Sequence, residues 1–362
     1  MTKIVLYGAT GYTGRLTAAA LVRRGLRPVL AGRNAESLRA LADSHGGLPV
    51  ATADASDAAS VAALVERGDV LLTTVGPFSR FGRPAAQAAV DAGAHYLDST
   101  GEPVFIRTVF EDFDGPARAA QITMLTAFGY DYVPGNLAAG LALAEAGDRA
   151  TAVDVGYFIV GPTKASKGTI TSAAQALLDP GFGYRDGRLT TEPMGRDLLK
   201  FTAGGKTQFA TSLAASEQFS LPRVYPSLRD VRVGIGMGPA TPAVWAASRA
   251  AQLGLTIPGA RDAVRRTVIA KLPGSGGGPD DEYNARSSCR VIAVARSAGG
   301  DELATVTLRG PAVYPLTAEL LAWGADQLAA GAARSPGALG PVEAFGLDEL
   351  ERGCASLGLR RA

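Results

Sequence analysis

A glycine triplet near the N-terminus has the residue types and spacing to hold a phosphate group. The apolar run Ile4–Tyr7 leads directly into Gly8-x-x-Gly11-x-x-Gly14, and an apolar helical stretch follows. In such a strand–turn–helix the first glycine permits the tight turn, the second lets the backbone approach phosphates, and the third allows close packing. The free N–H groups and positive end of the next helix then face the anion. The triplet predicts a dinucleotide pyrophosphate site, the alternative being an ordinary βα turn without ligand.

The residues after the second predicted strand indicate which dinucleotide this site prefers. Pro28–Ala31 is apolar and runs into Gly32-Arg33-Asn34, where NAD sites usually carry a carboxylate for the ribose 2′-hydroxyl. A guanidinium at Arg33 can instead pair with a 2′-phosphate, which a carboxylate would repel. NADP is therefore the predicted cofactor, unless Arg33 is a solvated strand-end residue.

Two further predicted strands end in residues suited to lining the same site. The third ends at Asp54, which either approaches the adenine amino group or caps the helix that starts near Asp57. The fourth, Asp69–Val75, breaks at Gly76-Pro77. Ligands of open parallel sheets bind outside the carboxyl ends of the strands, where this break falls. The predicted cofactor site comprises Gly8, Thr10, Gly11, Tyr12, Thr13, Gly14, Arg33, Asn34, Asp54, Val75, Gly76, Pro77, Phe78, Ser99 and Gly101.

Composition points away from nucleic-acid-binding, membrane and metal-dependent proteins. The 362 residues carry 36 basic and 34 acidic side chains, a formal net charge of +2, with no basic stripe. The apolar stretches are interrupted before the roughly 18–20 residues that a membrane span needs. Two lone cysteines and two lone histidines offer no metal spacing, so no metal site is predicted. We expect two domains, a cytoplasmic location and no secretory signal.

Several blocks of the sequence resemble the saccharopine dehydrogenase-like oxidoreductases. These blocks, in that family's order, are Gly8–Gly14, Val75–Pro84, Ala92–Glu102, Gly129–Leu137 and Lys167–Ser172. The chain looks most similar to the bacterial, trans-acting enoyl reductase-like subgroup, is shorter than the saccharopine-forming enzymes, and matches loosely after residue 172. The resemblance implies reduction of a small-molecule or carrier-bound acyl substrate, and a homodimer paired through the second domain's sheet.

The alternation of strands and helices predicts an α/β fold with a doubly wound, Rossmann-type parallel sheet. We assign residues 1–130 to this NADP-binding domain, with Gln121–Phe128 as one of its strands. Residues 131–312 are predicted to form an inserted α+β substrate or dimerisation domain that contains the strand Ala152–Val160. The resemblance implies that residues 313–362 are helical and return to the first domain.

Three features of the second half of the chain yield separate expectations. Ser287–Ala295 and Glu302–Leu308 are predicted to pair as a hairpin. Pro273–Pro279 is a glycine-rich loop, either a plain surface connection or an edge of the substrate pocket. Thr317 is expected to begin or cap an amphipathic helix that ends at Ala330.

Hydride chemistry also needs a proton source, and the domain crossing offers candidates. NADPH delivers hydride, while the protein positions the substrate and supplies a proton. The catalytic candidates are Asp131, Tyr132 and Lys167, with Tyr130 in addition. Each has a structural alternative: hinge packing for the tyrosines, acceptance of backbone hydrogen bonds for Asp131, and a solvated strand end for Lys167. A pocket that uses water as the proton source, or that stabilises an oxyanion with backbone groups, would need none of these side chains.

Three functions are open at this point. The first is NADPH-dependent reduction of an activated C=C bond, favoured by the resemblance, by Arg33 and by the uncharged segment 173–178. The second is reduction of an imine, with substrate carboxylates held by cationic groups. Those groups would be Arg185, Arg188, Arg196 and Lys200, unless they form a solvated face. The third is a non-catalytic NADP-binding regulator of a partner protein.

Overall fold

The first third of the chain alternates strands and helices in the computed structural model, which describes residues 2–162, 164–176, 179–203, 205–254 and 277–362. The strands are β1 (Ile4–Tyr7), β2 (Val29–Gly32), β3 (Val50–Thr52), β4 (Val70–Thr73), β5 (His95–Asp98) and β6 (Thr123–Leu125). The helices are α1 (Tyr12–Arg23), α2 (Ala35–Ser44), α3 (Ala58–Ala62), α4 (Phe78–Ala92), α5 (Pro103–Thr108) and α6 (Asp114–Ala120), with a π-helical turn at Val109–Phe113.

A seven-stranded parallel sheet is built from these strands and from β15 (Gly337–Ala338), in the order β15-β6-β5-β4-β1-β2-β3. β1 lies between β2 and β4, so the strand order reverses there, as in dinucleotide-binding sheets. Tyr7 at the end of β1 is in register with Ala31 and Thr73, which aligns the carboxyl ends of three strands at one edge. The predicted doubly wound parallel sheet is confirmed.

A second, mixed sheet contains most of the remaining strands. Its order is β10-β11-β12-β7-β13-β14-β16, with β8 paired to β12 and β9. The strands are β7 (Ala152–Val160), β8 (Gly181–Arg185), β9 (Arg188–Glu192), β10 (Leu198–Ala203), β11 (Lys206–Leu213), β12 (Asp230–Gly236), β13 (Ser288–Arg296), β14 (Glu302–Gly310) and β16 (Arg360–Arg361). The predicted strand at β7 is confirmed, as is the β13–β14 hairpin.

The described part of the chain after residue 132 contains eight helices. They are α7 (Val133–Ala146), α8 (Lys167–Ala176), α9 (Glu217–Val224), α10 (Thr241–Gly254), α11 (Asp281–Ala285), α12 (Val313–Ala329), α13 (Pro341–Phe345) and α14 (Leu347–Ser356), with 3-10 turns at Gly147–Arg149 and Gly238–Ala240. No helix in the described ranges is both long and apolar enough to cross a membrane.

Two of these helices connect the sheets. α7 is apolar on nearly all sides, which is the pattern of a buried helix, and it packs against β13, β14, α9 and α14. α12 packs on α1 and on β4 and β5, so the chain returns to the first sheet as the resemblance implied. The final strand, β16, pairs with β14 of the second sheet instead. The domain limits at residues 130 and 312 stay predictions.

The strand predicted at Gln121–Phe128 is shorter than expected. Only Thr123–Leu125 pairs as β6. Gln121 is the left-handed C-cap of α6 with φ of 57°, and Ala127 has φ of 56°. Neither conformation continues a strand, so local backbone geometry ends the element on both sides. Residues 273–276 of the predicted loop Pro273–Pro279 lie outside the described residues.

The expected role of Thr317 at a helix start is wrong, because α12 begins at Val313. The Thr317 hydroxyl lies inside the helix and donates to the Val313 carbonyl one turn back (2.8 Å). The same oxygen accepts the backbone N–H of Tyr130 (3.0 Å). Thr317 therefore anchors the segment that leaves the first sheet to the helix that returns to it.

We predict that Thr317→Val lowers the free energy of unfolding by about 1–3 kcal/mol, because the buried Tyr130 N–H loses its acceptor. The measurement is denaturant unfolding followed by far-UV circular dichroism. The control is Thr52→Val on exposed β3, which should leave the midpoint within about 0.5 kcal/mol of the wild type. Equal midpoints for the two variants would contradict the anchoring role.

Candidate cofactor and catalytic site

The glycine turn between β1 and α1 has no room for side chains at its first and third glycines. Gly8 has φ of +92°, and a Cβ there would lie 2.7 Å from Thr74 Oγ1. A Cβ on Gly14 would lie 2.2 Å from the Gly8 carbonyl oxygen. The turn is closed by N–H groups of Gly8 and Ala9 that donate to the Ala31 carbonyl (2.9 and 3.1 Å). The spacing predicted from sequence thus forms the tight turn that brings backbone donors close to a ligand.

The N-terminus of α1 offers the donors that a pyrophosphate needs. Its N-cap residue, Gly11, makes no side-chain cap, and the first turn contains no acidic side chain. The N–H groups of Tyr12, Thr13 and Gly14 belong to the first turn, which has no intrahelical acceptors for them. An anion bound there would also face the positive end of the helix dipole. The residues present therefore fit a dinucleotide phosphate.

The N-terminus of the neighbouring helix α4 is already occupied by a carboxylate. Glu102 is buried and accepts the N–H of Phe78 through Oε1 (2.8 Å) and the N–H of Ser79 through Oε2 (2.9 Å). Phe78 itself is buried, with its ring against Phe105 at a centroid distance of 5.6 Å. The predicted residues Val75, Gly76 and Pro77 precede this capped N-terminus of α4. Of the two helices, α1 is therefore the one whose first-turn N–H groups are free to bind a ligand.

Arg33 and Asn34 follow β2 but have different surroundings. The Arg33 side chain is exposed at the carboxyl edge of the sheet. Asn34 is the N-cap of α2, where its side chain accepts the N–H of Ser37 (2.9 Å). Arg33 is thus accessible to a 2′-phosphate, while the Asn34 side chain has a structural role.

Asp54 does not cap the helix that follows it. Asp57 caps α3 instead, accepting the N–H of Ala59 (3.1 Å). The Asp54 carboxylate accepts the N–H and the hydroxyl of Ser56 (2.8 and 2.6 Å), and these bonds lower its pKa. The capping alternative for Asp54 is therefore wrong, and its contact with adenine stays a prediction.

The Tyr12 side chain points from the glycine turn towards the second half of the chain. Its hydroxyl donates to the Pro279 carbonyl (2.6 Å) and accepts from Asn284 (3.2 Å). Its ring meets Tyr314 edge-on at 5.1 Å. Tyr12 can thus contribute its backbone N–H to a phosphate while its side chain holds two parts of the fold together.

Helix α8 lies across the carboxyl edge of the parallel sheet. The Tyr314 hydroxyl accepts the N–H of Ser166 (2.7 Å) and is 2.8 Å from Thr169 Oγ1. Further along the helix, Ser172 donates to Glu102 Oε1 (2.8 Å). Lys167 is exposed at the first residue of α8, so the expectation of a strand end is wrong.

Asp131 has the environment of a weak acid at this edge. Its Oδ2 lies 3.4 Å from the position of a Cβ built on Gly101, which is two residues after Ser99 in the β5–α5 connection. No donor among the described residues is hydrogen-bonded to the carboxyl group, which argues against the hinge role through backbone hydrogen bonds. Burial without such donors raises the pKa of Asp131 to about 6.

The tyrosines beside Asp131 are packed inside the protein. Tyr130 and Tyr132 are each 5% exposed, and their rings meet Tyr157 edge-on at 5.3 and 5.7 Å. Burial raises the pKa of all three hydroxyl groups well above 10. Their side chains therefore form the wall behind Asp131 and are poorer acids than its carboxyl group.

Three functional candidates were missed in the sequence. Glu102 and Ser172 each close a block of the family resemblance, which was the available signal. Glu217 carries no such signal, because an acidic residue in the first turn of a helix is ordinary. It is fully buried behind Tyr157, and burial raises its pKa to about 8.

Comparisons with known proteins address the fold and the cofactor. Residues 4–125 match the family profile of the saccharopine dehydrogenase NADP binding domain. A trans-acting enoyl reductase of Mycobacterium ulcerans (strain Agy99) is 40% identical over 141 residues, which are 37% of this chain and 34% of that relative. The match therefore spans about a third of the relative's length.

Two solved structures share the fold over the full chain. Saccharopine dehydrogenase (L-Glu forming) from Saccharomyces cerevisiae has a TM-score of 0.62 and 12% identity, covering 100% of this chain and 99% of that one. Homospermidine synthase from Legionella pneumophila, in complex with NAD, has a TM-score of 0.65 and 10% identity, covering 100% and 90%. The predicted α/β architecture is thereby confirmed, and the matched profile confirms NADP as the cofactor. The individual cofactor-binding residues stay predictions.

We predict that Arg33→Ala weakens NADPH binding by about 10- to 100-fold, because a charge-assisted hydrogen bond to the 2′-phosphate is lost. Binding of NADH, which lacks that phosphate, should stay within about threefold of the wild type. Fluorescence titration with each nucleotide measures both. The control is Arg39→Ala on exposed α2, and equal losses for the two nucleotides in the Arg33 variant would contradict the assignment.

We predict that Gly135→Ala destabilises the protein by about 1–3 kcal/mol through overpacking. A Cβ on Gly135 would lie 2.1 Å from Tyr157 Oη and 2.2 Å from Glu217 Oε1, so both side chains must move. Thermal unfolding is the measurement. In the matched helical control, Gly115→Ala, the new methyl group meets nothing within 4 Å. A melting temperature as high in the first variant as in the second would refute this packing.

Proposed function

We propose that the protein is an NADPH-dependent reductase of an activated C=C bond, on the premise that residues 4–125 match the profile of the saccharopine dehydrogenase NADP binding domain. The observation that carries the proposal is the Asp131 carboxyl group, without a donor in the described chain, at the same sheet edge as the glycine turn. The name of the M. ulcerans relative supports an enoyl substrate. The substrate class is an α,β-unsaturated acyl group, free or bound to a carrier.

The chain's own residues would hold the cofactor and shield the reaction from water. NADPH supplies a hydride when it is bound. The first-turn N–H groups of α1 bind its pyrophosphate, and Arg33 pairs with its 2′-phosphate. Helix α8, held by Tyr314 and Glu102, covers the same edge of the sheet and limits the access of water.

Asp131 would supply the proton. Reduction of an activated C=C bond adds hydride at the β-carbon and a proton at the α-carbon. Asp131 in its acid form donates that proton, becomes a carboxylate and is reprotonated from solvent. A pKa of about 6 is close to neutral, where a general acid is effective. Tyr132 would contribute a wall of the pocket, and the catalytic role of Lys167 stays a prediction.

The two alternative functions have less support. For the imine alternative, Arg185 is already paired with Glu192 and Asp197, and Arg196 lies 2.7 Å from Glu192. These two arginines are therefore not free to clamp substrate carboxylates. The regulator alternative rested on the lack of an evident proton donor, and Asp131 provides one. The side chains of the uncharged segment 173–178 lie outside the described residues.

The direct test is NADPH oxidation in the presence of α,β-unsaturated acyl thioesters on a pantetheine carrier. Saturated thioesters of the same chain length are the control, and imines formed from amino acids with 2-oxo acids test the second function. We expect turnover with the unsaturated thioesters alone. Turnover with imines alone would support the alternative, and tight NADPH binding without any turnover would support a regulator.

We predict that Asp131→Asn lowers kcat by about 10²- to 10⁴-fold, the usual contribution of a general acid. The acid form is required, so the wild-type kcat should fall as the pH rises through about 6. The asparagine variant should lack this limb. The pH profile of steady-state kcat is the measurement, with Asp148→Asn in the exposed 3-10 turn after α7 as the control. An unchanged limb in the Asp131 variant would show that another group donates the proton.

A further inference from the structure

A second buried carboxyl group lies behind the proposed acid, in a hydrogen-bond network that the reaction itself does not use. Glu217, the first residue of α9, is fully buried. Its Oε1 is 2.7 Å from the hydroxyl oxygen of Tyr157 on β7. Its Oε2 has no hydrogen-bond partner among the described residues. The protonation state of Glu217 therefore decides how this network is satisfied.

The hydrogen bonds around Tyr157 are satisfied only if Glu217 carries a proton. The Tyr157 oxygen accepts the N–H of Gly135 (2.8 Å) and has two further neighbours, the Tyr132 carbonyl (3.2 Å) and Glu217 Oε1 (2.7 Å). A phenol has one hydrogen and cannot donate to both. A neutral Glu217 resolves this, because its O–H donates to Tyr157 and leaves the Tyr157 hydrogen for Tyr132.

The charges around Glu217 favour the same neutral form. No lysine or arginine is among the described groups that act most strongly on its carboxyl group. The titratable groups that face it are the hydroxyls of Tyr157 and Tyr132 and the carboxyl group of Asp131. Burial raises the pKa of Glu217 to about 8, and the negative charge of Asp131 acts in the same direction.

The network controls the backbone that carries Asp131. The Tyr132 carbonyl, one residue further along, also accepts from the Asn136 side chain (2.9 Å). Asn136 is held in turn by Ser216 (3.2 Å) and Ser220 (2.6 Å), at the start of and within α9. One end of α9 therefore supports residues 132–136 through two routes, and Glu217 provides one of them.

We propose that Glu217, acting as a neutral acid through Tyr157, is the positioning residue that holds Asp131 at the reaction edge. The assignment rests on the proposed function for its catalytic consequence, but the protonation and the positioning are properties of the chain itself. When Glu217 ionises, the Tyr157 hydrogen turns towards the carboxylate. The Tyr132 carbonyl then loses one of its three donors and keeps the backbone N–H and the side-chain amide of Asn136. The segment bearing Asp131 is held less firmly as a result.

The first experiment measures protonation without turnover. Infrared difference spectra at pH 7 compare the wild type with Glu217→Gln, since ordinary carboxyl groups are ionised there. We expect one additional protonated-carboxyl band in the wild type, lost as the pH rises through about 8. Glu282→Gln on exposed α11 is the control. The absence of a difference band would overturn the proposal.

The second experiment measures positioning, also without turnover. Carbon-13 NMR of labelled aspartate carboxyls, assigned with Asp131→Asn, follows the titration of Asp131. We expect it near pH 6 in the wild type and in Glu217→Gln, which can still donate to Tyr157. In Glu217→Ala and Tyr157→Phe, looser packing should move it towards the ordinary value of about 3.9. An unmoved titration in both disruptive variants would overturn the positioning role.

The kinetic arm applies to the reductase. Glu217→Ala should lower kcat by about 10- to 100-fold, as expected for a displaced catalytic group, with NADPH affinity unchanged and rescue by Glu217→Gln. A wild-type kcat in Glu217→Ala would overturn the proposal. If no unsaturated substrate is reduced by the wild type, the proposed function fails, while the two spectroscopic arms still decide the role of Glu217.

Discussion

The arrangement of the site depends on the hydrogen bonds that the buried Glu102 carboxylate accepts. It accepts two backbone N–H groups at the start of α4 and the hydroxyl of Ser172 on α8. A buried carboxylate needs such donors, because it has left water. Their geometry fixes α8 over the edge of the parallel sheet. Glu102 also occupies the N-terminus of α4 at this edge. The N-terminus of α1 keeps its N–H donors free for a phosphate.

The number of donors distinguishes three buried or half-buried carboxyl groups. Glu102 accepts three hydrogen bonds, Asp131 accepts none from the described residues, and Glu217 shares one tyrosine hydroxyl. Hydrogen bonds to a carboxylate favour its charged form, and burial without them favours the acid. Glu102 thus serves as a structural hydrogen-bond acceptor, whereas we propose a proton-donor role for Asp131 and a positioning role for Glu217. Distinct environments within one site are how acid and base roles are separated.

The C-terminal part of the chain stabilises both sheets. α12 packs on the first sheet, β15 extends it beside β6, and β16 pairs with β14 of the second sheet. Thr317 joins this returning segment to the backbone of Tyr130 at the crossing. The crossing is therefore held from both sides, by Thr317 on α12 and by the Tyr157 network against α7 and α9. This restricts the movement of Asp131 relative to the glycine turn.

The sequence by itself determined the glycine turn, the parallel sheet around it and the cofactor class. These depend on local properties: the spacing of Gly8, Gly11 and Gly14, the apolar runs before each turn, and a cation in place of a carboxylate at Arg33. Only the tertiary structure decided the roles of Glu102, Ser172 and Glu217. The hydrogen-bond partners of Glu102 and Ser172 are 23 to 70 residues away in the chain. The partner of Glu217 is 60 residues away. Burial and hydrogen-bond donors at such distances arise from packing, which a local pattern does not encode.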